Sequence, residues 1–319
     1  PLPRLRGLRR LLPGGGMSAA ALFAAVGHTP LVEIPFAAEL GHGARLFAKL
    51  ESVNPGGSIK DRPVARMLLA ARANGRLAGE RRLLDSSSGN AGISYAMFGA
   101  ALGIPVTLVV PGNASTERLD RMRAHGAELV LTDPIEGYDH ALRTAHRLAE
   151  AQPERYWLCD QYANEDNWRA HYEGTGEEIL AQLAERGLGA PDVLVAGVGT
   201  GGTLTGLGRR LRQDNPGLLI GAVIPESFPG IEGLKPLGQA GDIVPPLLDQ
   251  SLIDRRFAVS LDQAAAMCRR LAGLGFYVGP SSGACVDVAL RLAADSGRRL
   301  LVTVLSDTGE RYVSTGLWH

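Results

Sequence analysis

The stretch NPGGSIKDRP, residues 54–63, sets a lysine at the end of a turn. Asn54-Pro55-Gly56-Gly57 cannot easily continue a strand or a helix, Ser58 can cap a helix, and Asp61 suits a first turn. Lys60 is thereby predicted in the first turn of a helix, whose N-terminus prefers negative charge. A snorkelling surface lysine is the ordinary reading; an amine that does covalent chemistry is the other. Of the 33 Lys+Arg residues, only Lys49, Lys60 and Lys235 are lysines. Arginine does not lose its proton to become a nucleophile, so chemistry that needs an amine has few candidates here.

Three further loops carry groups that bind anions. VGTGGTLTG, residues 198–206, follows an apolar run and opens a helical one. Its glycines let backbone N–H groups approach an anion, and the helix start adds partial positive charge. Gly197, Gly199 and Gly202 also satisfy G-x-G-x-x-G, with Glu226 ending the next strand, so a dinucleotide site is one competing reading. A glycine-rich turn without a ligand is the other. SSSGNAG, residues 86–92, offers the hydroxyls of Ser87 and Ser88 and the amide of Asn90 at a helix start. That suits a carboxylate, or is an ordinary serine cap. GPSSGA, residues 279–284, leads Ser281 and Ser282 into another helix, where capping alone explains them in isolation. Together the four stretches fit pyridoxal phosphate better than a nicotinamide dinucleotide. That cofactor needs a lysine for its aldehyde, an anion nest for its phosphate and a partner for its ring nitrogen.

Apolar runs alternating with helical stretches position these loops. Strands are predicted at 45–50, 81–86, 105–110, 127–132, 192–198, 218–224 and 299–305. Continuous apolar strands separated by helices read as parallel sheet in an α/β protein. The polar, turn-rich QYANEDNWRAHYEGTG, residues 161–176, reads as a crossing between two α/β halves, and clefts between such halves hold ligands.

Composition removes other classes. Lys+Arg and Asp+Glu are both 33, so no global field draws nucleic acid or an anionic membrane. The cysteines, Cys159, Cys268 and Cys285, are odd in number and far apart, which argues for a reducing compartment and against a disulfide framework. No C-x-x-C or H-x-x-x-H occurs, so no metal is expected, and no apolar run reaches membrane-spanning length. Residues 1–16 hold four arginines, three prolines and no acid before Met17. They are expected to be a disordered extension, or translated upstream sequence, rather than a transit peptide, which would be serine-rich.

At these residues the chain resembles the cysteine synthase (O-acetylserine sulfhydrylase) branch of fold-type II pyridoxal-phosphate enzymes. KLESVNPGGSIKDRP, SSSGNAGIS, DQYANEDNWRAHYEGTG, GVGTGGTLTG, PGIEGL and SDTGERYVSTG carry the resemblance, which runs from about residue 26 to 318. Asp307 and the PGI at 229–231 are more similar to isozyme B than to isozyme A. The resemblance implies two three-layer α/β/α domains with mostly parallel sheets, like the tryptophan synthase β subunit. Residues 17–59 plus 161–319 would form the larger, cofactor-binding domain, and 60–160 a smaller one that closes over substrate.

It also implies roles. Lys60 would form the Schiff base and move the Cα proton. Asn90 would meet the cofactor's 3′-oxygen, Gly199, Thr200, Gly201, Gly202 and Thr203 its phosphate, and Ser281 its pyridine nitrogen. Ser87, Ser88, Ala91 and Gln161 would surround the substrate α-carboxylate. Ala91 departs from the usual threonine, and Glu232-Gly233 from the two arginines usual in isozyme B. The implied reaction is β-replacement, making L-cysteine from O-acetyl-L-serine and sulfide or thiosulfate through an aminoacrylate, in a cytoplasmic homodimer. A neutral serine at the ring nitrogen suits elimination. O-phosphoserine sulfhydrylase, cystathionine β-synthase-like or diaminopropionate-type chemistry, and a cofactor-bound homologue without turnover, are the alternatives. With Glu232 in place of an arginine, O-acetylserine is the expected donor.

Overall fold

The seven apolar runs each become a strand, with ends displaced by no more than one residue. A computed structural model describes residues 16–36, 40, 43–87, 89–227, 230–237, 244–297 and 299–318. They divide into two compact units, one of residues up to Gly27 with Asn54–Asn167, the other of His28–Val53 with Trp168 onward. The division was expected at 60 and 161. Residues 17–27 also go with the smaller unit, where Phe23 of helix α1 (Gly16–Ala24) packs on Phe98 with ring centroids 4.5 Å apart and planes tilted by 39°. The expected extension lies outside the described residues except for Gly16, which opens α1.

The first unit holds a parallel sheet of β3 (Arg82–Ser86), β4 (Val106–Pro111), β5 (Glu128–Thr132) and β6 (Tyr156–Leu158), in the order β5-β4-β3-β6. Alternate residues of a strand face opposite sides. Leu83 and Leu108 accordingly pack with α2 (Asp61–Ala73) and α3 (Asn90–Leu102), while Leu84 and Val109 pack on α5 (Gly137–Ala151). Helix α4 (Thr116–Ala124) adds Met122 to the first of these layers. Every residue of β4 is buried, which is why it reads as a continuous apolar run.

The second unit holds six strands in the order β1-β2-β10-β7-β8-β9. They are β1 (Leu31–Ile34), β2 (Arg45–Leu50), β7 (Val193–Gly197), β8 (Leu219–Pro225), β9 (Arg255–Val259) and β10 (Leu300–Leu305). All pairs are parallel except β1 with β2. Helices cover both faces: Gly221 abuts Leu292 of α10 (Pro280–Ser296), and its neighbour Ile220 abuts Gly208 of α8 (Gly202–Asp214). Helix α9 (Leu261–Gly273) packs beside α10 through Cys268, which approaches Gly283.

The expected crossing is helical in its second half. Helix α6 (Asp166–Ala170) runs into a π-turn, His171–Gly176, and then α7 (Glu177–Ala184). Three acids near the helix starts, Asp166, Glu177 and Glu178, favour helix there despite the polar composition. No helix of the described residues is long and apolar enough to cross a membrane.

Candidate functional site

Lys60 is the residue immediately before α2, not in its first turn. Its backbone N–H donates to Ser58 Oγ at 3.3 Å, so Ser58 braces the turn and does not cap the helix. Asp61 fixes the turn from the other side. Its carboxylate accepts the Gly56 N–H and the Ser94 hydroxyl, both at 2.5 Å. Gly56 admits this approach because it lacks a Cβ, which would stand 2.3 Å from Asp61 Oδ1. Ser94 Oγ is also 3.0 Å from the Asn90 carbonyl oxygen. The lysine turn and the serine–asparagine loop, some thirty residues apart in sequence, are thus tied together within one unit.

The serine loop is itself held from below. Ser87 Oγ accepts the N–H groups of Gly89 at 3.2 Å and Gly92 at 2.8 Å, which leaves its own proton to donate. Ala91 is buried behind it. Gln161, the distant carboxylate ligand of the sequence reading, arrives at the same loop: its side-chain amide donates to the Ser86 carbonyl at 2.8 Å. Ser88 lies outside the described residues.

Two groups here were not read from the sequence. Asp85, wholly buried, accepts from Tyr95 Oη at 2.5 Å, from the Ser86 N–H at 2.8 Å and from the Gln161 N–H at 3.1 Å. Burial pushes its carboxyl up to about 7. Tyr138 donates to the Ser86 carbonyl at 3.0 Å, and burial raises its phenol well above the ordinary range. An acid near the end of an apolar strand was the available signal for Asp85, because carboxylates are seldom fully buried unless partnered. Tyr138, on a separate helix, left no such trace.

In the second unit the sequence Gly199-Thr200-Gly201 leads into α8. Gly201 takes φ +83°, which only glycine adopts freely, and stands at the N-cap with no side-chain cap bond. A Cβ on it would come within 2.8 Å of the Leu248 backbone, and one on Gly199 within 2.5 Å of the Gly233 carbonyl oxygen. The backbone is therefore held bare and close, as an anion cradle requires. Gly202 and Thr203 begin the helix. Thr203 Oγ1 lies 3.3 Å from Nε2 of buried His171, whose Nδ1 is 3.0 Å from Thr175 Oγ1. The π-turn sets this histidine against the cradle, and a lone histidine in a polar stretch gave no sign of it.

The segment after Gly230 is packed on the same loop: the Lys235 N–H donates to the Val198 carbonyl at 2.7 Å. Glu232 thus belongs to a turn seated beside the cradle. Ser281 is buried in the first turn of α10, whose N-cap is Gly279. Cys285, one turn on, meets the Gly197 backbone at the end of β7. Ser282 accepts the Ser306 N–H at 2.9 Å, a structural bond. Lys49 is spent on the scaffold, with its ammonium 2.7 Å from Glu178 and 2.9 Å from Gln182 Oε1. Lys60 is half-buried at its helix start, and Lys235 is buried on the segment that packs against Val198.

Residues 22–307 match the family described as pyridoxal-phosphate dependent enzyme. The chain belongs to that family. Among curated members it is 42% identical over 301 residues to a cysteine synthase of Aquifex aeolicus, covering 92% of this chain and 90% of that one. Among solved members it is similar to O-ureido-L-serine synthase, with a TM-score of 0.84 and 36% identity over 93% of this chain and 94% of that one. It is also similar to the cysteine synthase of Entamoeba histolytica, with a TM-score of 0.83 and 30% identity over 93% and 90% of the two chains.

The residues present fit pyridoxal phosphate. A lysine sits on a braced turn, a glycine-rich loop held against neighbouring backbone opens a helix of 13 residues, and a buried serine starts another. An ordinary dinucleotide-binding protein has no use for the lysine.

Proposed function

We propose that the protein makes L-cysteine by β-replacement, in which sulfide takes the place of the departing acetate on the β-carbon of O-acetyl-L-serine, with pyridoxal phosphate as cofactor. The observation that carries the reading is the bonded chain Asp61–Ser94–Asn90, which ties the turn bearing Lys60 to the start of the serine–asparagine loop. The two units take different tasks. Gly199, Thr200, Gly201, Gly202 and Thr203 hold the phosphate, and Ser281 accompanies the ring nitrogen without ionising it. Asn90 orients the ring through its 3′-oxygen.

Ser87, Ser88 and Gln161 hold the substrate α-carboxylate; Ala91 leaves this loop one hydroxyl poorer than a threonine would. When bound, the cofactor supplies an electron sink for the substrate α-carbon. Lys60 removes the proton at that carbon as a general base and returns it once the nucleophile has added. The first unit, which bears the carboxylate loop, closes over substrate to exclude water.

O-acetylserine is the donor, because Glu232 stands where the resemblance to isozyme B expects an arginine, so that position supplies no cation for the leaving phosphate of O-phosphoserine. The resemblance also supports a cytoplasmic homodimer. A nucleophile other than sulfide is favoured by one observation, the similarity to O-ureido-L-serine synthase.

The test incubates purified protein with pyridoxal phosphate, O-acetylserine and sulfide and measures cysteine by mass spectrometry. Cysteine at many turnovers per site supports the reading. No turnover with sulfide or any other nucleophile sinks it.

A further inference from the structure

Asp85 touches three elements and nothing in the proposed chemistry uses it. It is the penultimate residue of strand β3, directly before the serine loop. Its Oδ1 accepts the Ser86 N–H, and its Oδ2 accepts both the Tyr95 hydroxyl from α3 and the Gln161 N–H from the segment after β6. Gln161 then reaches back and donates to the Ser86 carbonyl. The ring of contacts Asp85–Gln161–Ser86 is closed within one unit, and all three residues are buried.

No cation partners this carboxylate in any bond above; three neutral donors do the work. A carboxylate that accepts all of them is used fully on its inward face, and each donor is backbone or a rigid phenol. Such a group costs free energy to bury, so apolar residues of the same volume would serve better if packing alone were at stake. What the carboxylate supplies, and an apolar side chain cannot, is a fixed distance between residue 161 and the start of the serine loop.

We infer that Asp85 is a positioning residue for the substrate α-carboxylate, setting the Gln161 amide and the Ser87 hydroxyl at the spacing of one carboxylate group. This rests on the proposed role of the serine loop. It does not concern the cofactor's phosphate, whose ligands are in the other unit.

Asp85→Asn keeps the volume but turns one edge of the group into an N–H2 that faces an N–H or O–H donor. One of the three bonds is lost and replaced by repulsion. KM for O-acetylserine should rise about tenfold, the worth of one charge-assisted hydrogen bond, with kcat changed less than about threefold. The Kd of glycine, an amino acid with no leaving group, measured by calorimetry on cofactor-loaded protein, should weaken by a similar factor. Cofactor content after dialysis should match wild type. Tyr95→Phe removes a single donor and should weaken glycine about threefold, which keeps the inference testable if Asp85→Asn does not fold. Unchanged glycine affinity and KM in the variants that fold overturn the assignment, as does cofactor loss in proportion to the rise in KM. A wild type that binds no glycine at all refutes the carboxylate-loop reading itself, and the role of Asp85 with it.

Discussion

Gly201→Ala separates the cradle's shape from ordinary glycine strain. The residue has φ +83° and ψ −16°, and an added Cβ would lie 2.8 Å from the backbone N and Cα of Leu248. A left-handed L-residue costs about 1–2 kcal/mol, and forcing a methyl into packed backbone costs about 1–3 kcal/mol more. The sum is about 2–5 kcal/mol. Gly187 is the control, because it has φ +70° with nothing within 4 Å of its added Cβ. Gly187→Ala should therefore cost only about 1–2 kcal/mol. Urea unfolding of both variants without cofactor reads the difference. A second titration, of pyridoxal phosphate into each, reads the loop: relief of the clash moves the N–H groups at 201–203, and each 1.4 kcal/mol of misfit weakens binding about tenfold. Gly187→Ala should bind cofactor like wild type and Gly201→Ala at least about tenfold more weakly. Equal stability losses in the two variants, or wild-type cofactor affinity in Gly201→Ala, would refute the reasoning.

Borohydride reduction of cofactor-loaded protein should fix pyridoxyl to the peptide carrying Lys60, and Lys60→Ala should abolish both that label and turnover; a label on Lys49 or Lys235 in wild type contradicts the assignment. The folded Asp85 carboxyl titrates at about 7 against 3.8 for an ordinary one, so between those values the folded state keeps a proton that the unfolded state has lost. Its contribution to stability therefore falls as pH rises from about 4 to about 7. Urea unfolding at pH 5 and pH 8 should show a smaller decline in Asp85→Asn than in wild type; identical declines mean that the carboxyl is not shifted. Glu232→Arg should raise kcat/KM for O-phosphoserine by about tenfold or more while that for O-acetylserine changes little, and a wild type already better with O-phosphoserine sinks the donor proposal.

The sequence exposes what is both buried and local. Strands such as β4 are covered on two faces and so are written as unbroken apolar runs, and glycine and serine mark the loops between strands and helices. Three strands escaped that reading. β6 has three residues, β1 has four and pairs antiparallel at an edge, and β9 begins with two exposed arginines. An edge strand is free to carry charge, and gains protection from it. Lys60 was placed one residue too far into its helix because Ser58 can either cap or brace, and only the bond to its own turn distinguishes them. The assignment of α1 to the smaller unit depends on ring packing with Phe98, which no local pattern records. Asp85 shows the limit most clearly. Its partners lie 1, 10 and 76 residues away, and nothing in their spacing is periodic.

The order of strands in the larger sheet bears on how the chain is synthesised. Strand β10 is the latest in sequence of those described, yet it lies between β2, among the earliest, and β7. Until the ribosome has released residues 300–305, the sheet exists as two pieces, β1-β2 and β7-β8-β9, each presenting an unpaired parallel edge. Such edges recruit strands from neighbouring chains. The first unit has no such wait, since β3 to β6 are contiguous in the chain and sit in one sheet. Nascent chains arrested before residue 300 should therefore carry a protease-resistant carboxylate loop beside an unfinished cradle, and holdase chaperones should bind them through the β2 and β7 edges.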